Sequence, residues 1–135
     1  MHKLAFWPAI VALFFSFESL SQFQGDDDYV RTINSIFVTQ SREEGRIEMD
    51  QFCTIKDFET NDQTYKYSLK HVVIEKPKRD KNTTGYEINV YCADNLKCIY
   101  LNNRKFISYK DFELLTEEGA NEIYTRLIRL QTNCN

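Results

Sequence analysis

Four cysteines, Cys53, Cys92, Cys98 and Cys134, carry the most chemistry in this chain of 135 residues. An even count favours disulfides, and four cysteines allow three pairings. Cys92 and Cys98 flank Ala-Asp-Asn-Leu-Lys, a short polar stretch between two strand-like runs. If Asp94-Asn95-Leu96 is the turn, the two face each other across a hairpin, and strand register decides whether they can bridge. Cys53 and Cys134 would then staple the C-terminal end to an early strand. Zinc sites favour closer Cys-x2-4-Cys spacings with more histidine or cysteine nearby, so no metal is expected. A catalytic thiolate needs a partnered base, and His71 is the only histidine beyond the apolar N-terminus. A single strand histidine is far more often a surface or core residue than a base.

Three other clusters invite a functional reading. Asp26-Asp27-Asp28 lacks the spaced ligands and the glycine of a calcium loop, and suits the start of a helix instead. Lys76, Lys78, Arg79 and Lys81 form a basic stretch that could hold an anionic partner, although Glu75 and Asp80 dilute it. Asn82-Thr83-Thr84 fits a glycosylation acceptor in a eukaryotic secretory route. The tyrosines and phenylalanines recur at strand period, which fits core and cross-strand pairs better than a base- or sugar-stacking platform. The net charge of −3 argues against nucleic acid and against a polybasic membrane role. No cofactor motif is present.

These residues need elements to position them. Residues 1–21 read as a cleaved secretory signal: Met-His-Lys, an apolar run from Leu4 to Phe17, then Ser19 and Ser21 before Gln22. The run is too short for a spanning helix, is broken by Pro8 and stops at Glu18. The expectation is one exported domain over 22–135, periplasmic or extracellular, with no membrane span after signal removal and four cysteines free to pair. Apolar residues at 29, 30, 33, 36 and 37 predict a short N-terminal helix. Alternation from Arg46 to Phe52 and from Thr64 to Leu69 predicts strands, as do Val72–Ile74, Tyr86–Cys92, a return strand at Cys98–Leu101, and Phe106–Leu115. The stretch from Lys76 to Gly85 reads as an exposed hairpin loop. Thr116 is a candidate N-cap, and Ala120, Ile123, Tyr124, Leu127 and Ile128 form one stripe of an amphipathic helix of about 14 residues. The fold class is therefore α+β, an antiparallel meander of five to seven strands closed off by a C-terminal helix.

That outline resembles the small pleckstrin-homology-like (PH-like) domains of exported bacterial proteins. The residues that carry the likeness are Tyr67–Glu75, Tyr86–Cys92, Lys97–Ile99, Ile107–Phe112 and Glu117–Leu127. The resemblance implies a half-open barrel capped by the helix, a binding role toward peptides, proteins or lipid headgroups, and no catalytic residues. The segment Lys56 to Asp62, read as the loop between the first two strands, lacks the basic pattern of lipid-binding members. A non-catalytic binding or scaffold domain with a protein or peptide partner is thus the expectation. A disulfide-stapled inhibitor or effector presenting loop 76–85, or a small hydrolase, are the alternatives.

Overall fold

The computed structural model describes residues 25–135. The signal-peptide reading of 1–21 lies outside them. The chain is helical from the first described residue through 40 (α1). Nine strands follow: β1 Glu44–Met49, β2 Thr54–Glu59, β3 Thr64–Ser68, β4 Val72–Ile74, β5 Lys78–Arg79, β6 Tyr86–Cys92, β7 Ile99–Leu101, β8 Lys105–Ile107 and β9 Tyr109–Leu114. Helix α2, Glu117–Cys134, ends the fold. The class is α+β with antiparallel sheets, as read from the sequence. The strands are more numerous than expected, and they are not a simple meander.

β1, β2 and β3 are consecutive hairpin partners, but β3 pairs next with β7, which pairs with β8. The second sheet is built on β6, with β4 and β5 along one side and β9 on the other. The return strand expected at Cys98–Leu101 therefore leaves its neighbour and joins the other sheet. A 3-10 turn at Ala93–Asn95 redirects it, with Asp94 and Asn95 in left-handed conformations at φ 57° and 58°. Asp and Asn tolerate that region better than other non-glycine residues. The run Phe106–Leu115 likewise divides: β8 stays in the five-stranded sheet, and β9 crosses to the other after Ser108.

Two further expectations fail locally. Most of Lys56–Asp62 is strand rather than loop, because β2 continues to Glu59. Lys78 and Arg79, expected in a loop, pair with Glu87 and Tyr86 as β5.

The core lies between the sheets and beneath the helices. Ile47, Ile55, Tyr67 and Ile99 meet Ile88, Val90, Phe112 and Leu114, with Ile33 and Phe37 from α1 and Ala120, Ile123, Leu127 and Leu130 from α2. Phe37 and Phe112 stack with ring centroids 5.7 Å apart. The helices run antiparallel to each other: Asn133 donates to Asp26 at 2.9 Å, and Thr116 donates to Gln40 at 2.7 Å. Thr116 also caps α2 by accepting from Gly119 N–H at 3.1 Å, which satisfies one of the orphan donors of the first turn. Asp26, Asp27 and Asp28 lie in the first described turn of α1. No described helix is long and apolar enough to cross a membrane.

Candidate functional site

The densest chemistry is inside. β9 alternates Lys110, Phe112 and Leu114 toward the core, and all three are buried. β2 alternates Ile55 and Asp57 inward in the same way. β1 supplies Glu44 through an irregularity: Glu44 lies opposite Glu59 while Arg46 lies opposite Phe58, so Gly45 is an extra residue. This bulge turns Glu44 to the face occupied by Ile47, which regular alternation would deny it. Glycine is required there, since a Cβ at 45 would stand 2.7 Å from the Phe58 carbonyl oxygen. Glu44, Asp57 and Lys110 are 3%, 0% and 3% exposed.

Lys110 Nζ donates to Glu44 Oε1 at 3.2 Å and to Asp57 Oδ2. It also lies 3.9 Å from the centroid of the Phe112 ring and 4.7 Å from that of Tyr65, so its remaining surroundings are aromatic. Glu44 Oε2, Asp57 Oδ1 and the Tyr67 hydroxyl are buried without a hydrogen-bond partner. Two carboxyls thus share one amine in a closed space between the sheets. Burial lowers the Lys110 ammonium below the ordinary lysine range, against the pull of Glu44. Burial raises the Glu44 carboxyl, against the pull of Lys110. Burial and then the Glu44 charge push the Tyr67 phenol up.

Around this cluster runs a rim of acids. Glu59, half-buried, is pushed up to about 7 by burial and then by Glu44, Glu43 and Asp111. Burial and neighbouring acids also raise Glu113, and burial raises Asp111 against the pull of Lys110.

The solvent face of the five-stranded sheet is built differently. Lys56, Lys66, Tyr100 and Phe106 lie in register across β2, β3, β7 and β8. Tyr100 and Phe106 stack at 4.6 Å between centroids, and Phe106 is 57% exposed. Neither lysine is ion-paired among the described residues, because Glu48, opposite Lys56, pairs instead with Arg46. Arg46 in turn covers the Phe58 ring at 4.3 Å. A hollow of about 120 Å³ opens beside Lys56, lined also by Glu48 and Asp50.

The sequence-selected residues fall elsewhere. Cys53 bonds Cys134, and Cys92 bonds Cys98, with Cα separations of 6.0 and 5.7 Å. The second bond does not cross a hairpin, since Cys98 precedes the strand that departs to the other sheet. With no cysteine free, His71 has no thiol to activate as a nucleophile. Lys76, Lys78, Arg79 and Lys81 are all exposed, and Lys78 reaches Glu87 at 3.8 Å. Their loop is ordered from within by Asp80, which accepts from Asn82 N–H at 2.9 Å and from the Thr83 hydroxyl at 3.2 Å. Asn82 is exposed at its tip.

Sequence reasoning missed the buried triad. The available signal was that Lys110 keeps step with Phe112 and Leu114, an inward-facing period that a lysine can join only with a partner. The chain matches no family model, no curated protein and no solved structure.

Proposed function

We propose that this chain is an exported, non-catalytic binding or scaffold domain of PH-like, half-open barrel design that takes a protein or peptide partner. The observation that carries the reading is the solvent face of the five-stranded sheet. A stacked pair of half-buried Tyr100 and exposed Phe106 stands beside two lysines that are opposite each other across adjacent strands and have no ion-pair partner among the described residues. Aromatic side chains offer large contact area at low ordering cost, and like charges placed opposite each other oppose folding. Such a row suits a surface kept for contact more than one selected for stability. The Lys110 amine with its two carboxyls is closed in the core and the four cysteines are tied up in disulfides, which supports binding over turnover.

The experiment is affinity capture on immobilised residues 22–135 from the extracellular or envelope fraction, run beside two variants. One carries Tyr100→Ser with Phe106→Ser; the other carries Lys78→Ser with Arg79→Ser. A partner kept by the loop variant and lost by the face variant is the expected result. Loss in the loop variant alone would instead favour the inhibitor or effector reading, for which the Asp80-braced loop is the suitable element. Retention of lipid without protein would overturn both.

A further inference from the structure

The triad of Glu44, Asp57 and Lys110 has the parts of a condensation reaction as well as those of an ion pair. An amine and a carboxyl are in direct hydrogen-bond contact, on strands 53 residues apart that belong to different sheets. A second carboxyl touches the same nitrogen at 3.2 Å. All three side chains are 1% exposed or less. The flanking groups are the Phe112 and Tyr65 rings, and one oxygen of each carboxyl has no partner. As a purely ionic cluster this arrangement keeps an ammonium and two carboxylates in the core with polar atoms unmet, which is an expensive way to hold two sheets together.

We propose that Lys110 and Asp57 condense into an intramolecular amide, with Glu44 carrying the proton, so that the two sheets are joined covalently. The neutral Lys110 amine attacks Cγ of the Asp57 carboxylic acid and forms the N–C bond. Glu44 takes the proton from Nζ and delivers it to the departing hydroxyl. The Cγ–O bond breaks, one water leaves, and Glu44 ends in its starting state. Nothing is oxidised or reduced. Burial favours the uncharged amine that the step uses, and by raising Glu44 it makes the Glu44 carboxylate a stronger base toward the Nζ proton. Fixed contact supplies what dilute solution lacks, with effective molarities of about 10⁵–10⁸ M for well-oriented groups, and the closed site excludes the water that would reverse the reaction. The product replaces both formal charges with an amide whose N–H faces Glu44.

A peptide map of the secreted chain tests this, with both disulfides reduced and alkylated before trypsin. The expected product is peptide 57–66 joined to peptide 106–126, lighter than their sum by one water, with no cleavage after Lys110. Separate peptides at full yield and free cleavage at Lys110 would overturn the proposal, whatever any variant does. Lys110→Arg keeps the charge and should abolish the branched peptide. Glu44→Gln, if it retains both disulfides and the wild-type circular dichroism, should slow its appearance by about 10²–10⁴-fold. Unchanged kinetics in that variant would remove Glu44 from the role of proton carrier.

Discussion

The two faces of the five-stranded sheet treat charge in opposite ways, and neighbouring residues of β2 show it. Asp57 points inward and is fully buried, while Lys56 points outward and is exposed. On the inner face every charge has been brought to a partner, at the cost of a bulge at Gly45 and a lysine sent across from the other sheet. On the outer face two lysines oppose each other with no ion-pair partner among the described residues. Charge is tolerated where water screens it, and demands a specific geometry where water is absent. The largest effect should therefore come from the inside. Lys110→Ala strands two carboxyls in the core and should cost about 3–5 kcal/mol, the usual result of removing one member of a buried pair. Lys56→Ala should stay within about 0.5 kcal/mol. Chemical denaturation of both variants with disulfides intact measures the contrast, and similar losses would dissolve it.

Between the faces lies the acidic rim, where an intermediate effect is expected. Glu59 is raised from 4.5 to about 7 in the fold. Between those values the folded protein holds a proton that the unfolded chain has released. Stability from this group is thus present below about 4.5 and is lost as pH rises through about 7. Glu59 is only half-buried, so solvent screening keeps the effect below that of Lys110. The difference in denaturation midpoint between wild type and Glu59→Gln isolates it from the other raised acids, Asp111 and Glu113. That difference should shift in favour of Glu59→Gln as pH rises across the window. A difference independent of pH would place Glu59 outside the rim's field.

How much of this was legible in the sequence follows from the same division. α2 was readable because its cap, first-turn acids and apolar stripe agree, and only its length was short: it continues to Cys134, held by the bond to Cys53. β2 was missed as a strand because Asp57 occupies an inward position and Phe58 an outward one, which inverts the alternation that marks a half-buried strand. Its partner Lys110 lies 53 residues away in the sequence, and nothing local links them. The bulge that turns Glu44 inward depends on a close approach of Gly45 to Phe58, a tertiary contact that leaves no mark beyond a glycine. The path of β7 was hidden for a related reason. Its three residues suit a hairpin with β6 as well as a place beside β3, and the turn at Asp94 and Asn95 decides.

The smallest effect belongs to the outer face, and its sign is informative. Lys56 and Lys66 are directly opposite, an arrangement that costs stability. Lys66→Glu converts the repulsion into an opposite-charge pair and should stabilise the fold by about 0.2–1 kcal/mol. The gain should shrink in high salt, because both side chains are exposed. If the face is a contact surface for an acidic segment, the same substitution should weaken capture of the partner even as the midpoint of unfolding rises. Opposite movements of stability and binding in one variant would tie the unpaired lysines to function. Stabilisation with undiminished capture would leave the Tyr100–Phe106 stack as the contact and the lysines as ordinary surface residues.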